Sequence, residues 1–141
     1  MISAAERAAT LAKIDLFHAL TKREVLSIAM LAEEQTFPPD TVITNEGDQG
    51  TTFFVILHGM AKVTAGGKQR AVLMPGRYFG EMSVIDGEPR SATVVTDSEV
   101  QVLAIPSFSF RPLLLEQPTI TRKLLEVMCK RLRKCEQAPT S

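Results

Sequence analysis

Residues 60–74 read MAKVTAGGKQRAVLM, and the period of this stretch decides the fold class. Ala61, Val63 and Ala65 alternate with Lys62 and Thr64, so one face of an extended chain is apolar and the other polar. Gly66-Gly67 then offers two adjacent positions that accept positive φ, as a two-residue hairpin requires, before a second β-rich run over Gln69–Met74. Outward from this hairpin the same texture continues from Thr41 to about Ile105, with short runs at Thr41–Thr44, Thr52–Leu57, Ser91–Thr96 and Glu99–Ile105. Short strands punctuated by glycines predict a small antiparallel barrel or jelly roll rather than βαβ units.

Both flanks change to a helical period. Ser3-Ala-Ala-Glu6 and Thr21-Lys-Arg-Glu24 fit the capping box, in which a hydroxyl and a carboxylate reciprocally satisfy the backbone N–H groups of a helix start. They predict two helices within residues 1–37. Val25, Ile28, Ala29 and Ala32 recur at helical spacing, and Pro38-Pro39-Asp40 stops the pattern. Downstream, Ser107–Leu115 reads as a short helix, and Pro118 suits the first turn of a longer one reaching about Gln137. Ile120, Leu124, Met128 and Leu132 repeat every four residues, giving that helix an apolar edge to lie on the barrel, a second chain or a ligand. The expected order is helices over 1–37, a β-roll over 41–105 and helices over 107–137, all in one domain of 141 residues.

One segment carries more chemistry than a strand connection needs. Residues 76–94 read GRYFGEMSVIDGEPRSATV. A helical turn over Glu81–Asp86 would direct unpaired backbone N–H groups outward at its start, and Gly80 permits close approach there. Arg90 offers a planar donor fork matched to phosphate oxygens, and Ser91 adds a hydroxyl. Glu81 would repel an anion and so needs a separate partner, such as a ribose hydroxyl. Phosphate and ribose together mean a nucleotide. The plainer alternatives are a Glu81–Arg90 salt bridge tying the segment to the barrel, and Ser91 as a strand-turn cap.

The string FGEMSVIDGEPRSATV resembles the phosphate-binding cassette of the cyclic nucleotide-binding domain family, which includes catabolite activator proteins, regulatory subunits of cAMP-dependent protein kinase and cyclic nucleotide-gated channels. Val42-Ile43, Glu46-Gly47-Asp48, Phe54-Val-Ile and Gly59 are similar to the family as well, and GEPRSATV is close to the string of bacterial cAMP-regulated potassium channels. The resemblance covers roughly residues 14–136. It implies an α+β fold: an eight-stranded antiparallel β-roll, a cassette at residues 79–93, N-terminal helices and two C-terminal helices, the last a lid or dimer helix. By position, Arg90 would pair the cyclic phosphate and Glu81 would accept the ribose 2′-hydroxyl. Backbone amides near Gly80, Met82, Ser83 and Ala92 would complete the cradle, Ser91 would adjoin it, and Val63 would pack on the base. Arg131 takes the place of the base-facing lid residue of the channel domains, with a solvated or dimer-facing arginine as the alternative. The implied ligand is cAMP, with cGMP second, and no cofactor is expected.

Composition narrows the function classes. Lys plus Arg and Asp plus Glu each number 16, so no bulk field favours a polyanion such as DNA. Residues 111–136 hold seven Lys/Arg and three Glu, a basic helix most simply read as a solvated face. Nothing after this helix resembles a DNA-reading element. The apolar run Phe53–Leu57 is too short to span a bilayer, and the N-terminus has no signal pattern, so a cytoplasmic chain is expected. Cys129 and Cys135 fall on different faces of one helix, and His18 and His58 have no cysteine neighbours to complete a metal site. No G-x-S-x-G, H-E-x-x-H or G-x-x-x-x-G-K-[ST] string occurs, which argues against an enzyme. The expectation is a sensor that acts on an unidentified protein effector, its last helix serving as a lid or as the contact of a homodimer; the alternative is an interaction module that keeps the fold without the ligand.

Overall fold

The computed structural model describes residues 2–137. Both capping boxes form. Ser3 caps α1 (Ala4–Leu11) and Thr21 caps α2 (Lys22–Ala29), with reciprocal bonds to Glu6 and Glu24. A single 3₁₀ turn at Asp15–Phe17 lies between them.

Eight strands follow: β1 (Glu33–Phe37), β2 (Val42–Thr44), β3 (Thr52–His58), β4 (Ala61–Ala65), β5 (Lys68–Leu73), β6 (Tyr78–Phe79), β7 (Thr93–Thr96) and β8 (Val100–Pro106). A short helix, α3 (Glu81–Asp86), separates β6 from β7, and α4 (Ser107–Glu116) and α5 (Pro118–Gln137) close the chain. The strands form two antiparallel sheets, ordered β1-β8-β3-β6 and β2-β7-β4-β5. This is the expected eight-stranded roll with flanking helices. Gly66 and Gly67 make the β4–β5 turn at φ +60° and +77°, with Ala65 opposite Lys68.

Two boundaries differ from the sequence reading. The second helix stops at Ala29 rather than filling the chain to residue 37, and Glu33–Phe37 is a strand of the roll. Its pairing with β8, from Glu33 opposite Ala104 to Phe37 opposite Val100, overrides a sequence that shows no clean alternation because the strand is an edge. Tyr78–Phe79 is the other addition, a two-residue strand held by Phe54 and Val55.

The apolar run in β3 now has its reason. Phe53 and Val55 face the helices, with Leu11, Phe17, Ile28, Phe110, Ile120 and Leu124 around them. Phe54 and Ile56 point into the roll with Phe79, Val94, Val102 and Ala104. A strand covered on both faces loses the usual alternation of apolar and polar residues. Burying each of these side chains contributes roughly 1.5–3 kcal/mol. On α5, Ile120 and Leu124 are buried with Val127, while Leu132 is 60% exposed, so the apolar edge is covered only over its first half. Lys123 of α5 meets Glu24 of α2 at 2.7 Å, tying the last helix to the N-terminal layer. That contact and the bond from the Thr21 N–H hold the Glu24 carboxyl below its ordinary value.

Candidate functional site

The site grows from the break between β6 and β7. Gly80 adopts φ +85°, which lets the chain leave β6 and enter α3 at once. A Cβ at Gly80 would lie 2.4 Å from Arg90 Nη1 and 2.7 Å from the Thr52 carbonyl, so the position must be bare for space as well as for dihedral. No side chain caps the start of α3. Its first-turn amides have no partner within the helix, and Met82 and Ser83 line the adjoining cavity.

That cavity, about 150 Å³, is lined by β-roll residues Thr44, Val63 and Val94, by Tyr78 and Phe79, and by the cassette residues Gly80, Glu81, Met82, Ser83, Arg90, Ser91 and Ala92. Eight of the nine predicted site residues therefore meet on one wall. Thr44, Tyr78, Phe79 and Val94 were not foreseen. Phe79 stacks on Phe54 at 5.0 Å and so carries the apolar floor into the roll interior.

Arg90 is 8% exposed. Its guanidinium donates from Nη1 to the Gly80 carbonyl (3.2 Å) and from Nη2 to the Thr52 carbonyl (2.7 Å). Among the described residues no carboxylate forms an ion pair with it within 4.0 Å, so the expected alternative, a Glu81–Arg90 salt bridge, is not made. Burial lowers its pKa from the ordinary value, with the Glu81 charge opposing that shift. A desolvated cation bonded only to neutral carbonyls attracts an anion strongly.

Glu81 is also shielded, with its side chain 15% exposed. Burial raises its carboxyl above the ordinary value, and the charge of Asp15 adds to the rise; its own backbone N–H and the Arg90 charge pull the other way. Arg131, the ninth predicted residue, does not line the cavity. It reaches Glu81 from behind, with Nη1 3.5 Å from Oε1, and its Nη2 lies 3.6 Å from Asp15 Oδ1. Its guanidinium rests 5.0 Å from the centre of the Tyr78 ring, and the Tyr78 hydroxyl donates to Asp15 at 2.5 Å. Asp15 and Tyr78 give no signal in sequence, because a 63-residue separation and a cation–π contact leave no local pattern.

Among the described residues no group of three or more His, Cys, Asp or Glu side chains is placed to hold a metal ion, and no helix is long and apolar enough to cross a membrane. Cys129 and Cys135 are exposed and not bonded to one another.

A two-sheet antiparallel roll that sets a buried arginine and a helix start around one cavity defines a cyclic nucleotide-binding domain. The model of that family matches residues 34–117, and the chain belongs to it. The matched stretch ends before α5. The chain is 35% identical over 106 residues to a cAMP-dependent protein kinase regulatory subunit of Pyricularia oryzae, covering 74% of this chain and 27% of that protein. It is 37% identical over 95 residues to a cGMP-dependent protein kinase of Toxoplasma gondii, covering 66% of this chain and 9% of the relative. It thus spans about a quarter or less of these relatives. Among solved structures, the N-terminal domain of a transcriptional regulator from Streptomyces coelicolor A3(2) superposes with a TM-score of 0.81 at 28% identity, covering 94% of this chain and 96% of that one.

Proposed function

We propose that the chain is a non-catalytic cAMP sensor whose ligand sits in the cavity beside α3. The observation that carries this reading is Arg90: a buried guanidinium on the cavity wall, bonded to two carbonyls and, among the described residues, to no carboxylate. A cyclic phosphate supplies the missing negative charge, and the amides of Met82, Ser83 and Ala92 add neutral donors around it. Glu81 accepts the ribose 2′-hydroxyl. A carboxylate has about four lone-pair positions, so Glu81 can serve the ribose while keeping its contact with Arg131. Val63 and the adjoining apolar wall take the base.

The same arrangement supplies a transmission route. Arg131 joins α5 to the ligand-reading carboxylate, so occupancy at Glu81 changes the charge balance that holds the second half of α5 against the cassette. Ligand then shifts an open–closed equilibrium to the extent that it binds the closed form better. The exposed Leu125 and Leu132 leave α5 a face for an effector or a second copy. Purified protein titrated calorimetrically with cAMP and cGMP tests the reading. Tighter cAMP binding is expected. Tighter cGMP binding would overturn the choice of ligand, and no binding of either would favour the interaction-module alternative.

A further inference from the structure

We propose that Gly50 is a positioning residue for the ligand-reading arginine: the absence of a side chain at this position keeps the Arg90 guanidinium in register with the cavity. The proposal rests on the phosphate role assigned to Arg90. The loop before β3 grips this arginine from backbone to tip. The Arg90 N–H donates to the Asp48 carbonyl (2.7 Å), the Gly47 N–H donates to the Arg90 carbonyl (2.8 Å), and Arg90 Nη2 donates to the Thr52 carbonyl. Gly50 lies against the middle of that grip. A Cβ there would stand 2.2 Å from Arg90 Nε, 2.4 Å from Cζ and 2.6 Å from Cδ.

Gly50 is not among the glycines with positive φ, so its backbone would accept alanine and the demand is for space alone. Arg90 can yield that space only by moving its guanidinium, and movement breaks a fork already fixed on two carbonyls. A polar cavity of about 240 Å³ on the loop side of Arg90, lined by Asn45, Asp48, Gln49 and Thr51 among others, gives a displaced guanidinium somewhere to go. Gly76, in the turn between β5 and β6, is the control. Its φ is +90° with nothing within 4 Å of an added Cβ, and its N–H donates to the Ile56 carbonyl, so alanine there strains the roll without touching Arg90.

The test is a double-mutant cycle on the full chain, using Gly50→Ala, Arg90→Ala and their combination, with Gly76→Ala alongside. Each is assayed for cAMP affinity by calorimetry and for thermal unfolding. Gly50→Ala should weaken cAMP binding about tenfold or more, equivalent to losing about one charge-assisted hydrogen bond. The double variant should bind no more weakly than Arg90→Ala alone. Gly76→Ala should lower the melting temperature yet keep wild-type affinity. Wild-type affinity in Gly50→Ala, or a loss that multiplies with that of Arg90→Ala, would overturn the proposal. If Gly50→Ala does not fold, deleting the Arg90 side chain should restore folding, and a double variant that also fails would overturn it. Wild-type affinity in Arg90→Ala is a separate result that removes the phosphate assignment, and the positioning role with it.

Discussion

Replacing Arg90 with leucine tests the site at its most consequential atom. The side chain is 8% exposed, burial already lowers its pKa, and no carboxylate partner lies within ion-pair distance among the described residues. A bound phosphate would therefore be its principal counter-charge. Removing one member of such a desolvated pair costs about 3–5 kcal/mol, or roughly 150- to 5,000-fold in affinity. The fold has opposing contributions to balance. Leucine leaves the Gly80 and Thr52 carbonyls without their donor, at about 1–3 kcal/mol each, but also removes a charge that was costly to bury. These partly cancel, and a net loss near 1 kcal/mol would lower Tm by only about 4 °C. Calorimetric titration with cAMP beside a thermal melt separates the two effects. Arg90→Lys, which keeps the charge but not the planar fork, should fall between wild type and Arg90→Leu. A folded Arg90→Leu protein with unchanged cAMP affinity would refute the reasoning.

Glu81→Ala should cost about 1.5–3 kcal/mol of cAMP binding, less than Arg90→Leu, and should flatten the preference for cAMP over 2′-deoxy-cAMP; undiminished discrimination would remove the ribose assignment. Because the folded-state pKa of Glu81 is raised, the group holds its proton more tightly folded than unfolded. Its contribution to stability thus falls as pH rises from 4.5 through the raised value, and the ionised acceptor is lost as pH falls through that value. Affinity for cAMP should accordingly weaken on the acid side at a higher pH than an ordinary glutamate would give, and Glu81→Gln should abolish that limb of the titration. For α5, cAMP should protect residues 126–136 and the cassette from hydrogen exchange with little change in the first half of the roll, and Arg131→Ala should speed cAMP dissociation. Protection that depends on protein concentration and not on cAMP would instead assign this helix to a dimer.

Sequence patterns revealed the parts of the structure that local chemistry writes. The capping boxes at Ser3 and Thr21 and the Gly66-Gly67 turn appear where their residue types require. The short helix Glu81–Asp86 likewise has the bounds read from the cassette. Glu33–Phe37 escaped because an edge strand with an exposed, partly charged sequence has little period to detect, and only its partner β8 defines it. Arg90 and Glu81 stood out in sequence as a planar donor fork and an otherwise awkward carboxylate, and the structure sets both on one cavity. The groups that support them were not. Gly50 looks like any loop glycine until a Cβ is placed beside Nε, and Asp15 and Tyr78 reach Arg131 through contacts that only the folded chain creates.

The pairing of β1 with β8 has a consequence for how the molecule is made. Glu33 waits for Ala104, and Val42 for Val95, so the first strands laid down are completed by the last. Until the ribosome has released the chain past residue 106, β3 also lacks β8, the longer of its two partners, and its Phe-Phe-Val-Ile-Leu stretch is a sticky ribbon open along one edge. The cassette is synthesised inside this open interval. Ligand recognition is thus unavailable to a nascent chain, and closure over such long loops makes folding slow. Fragments ending within the roll should collect as aggregates rather than as partly folded domains.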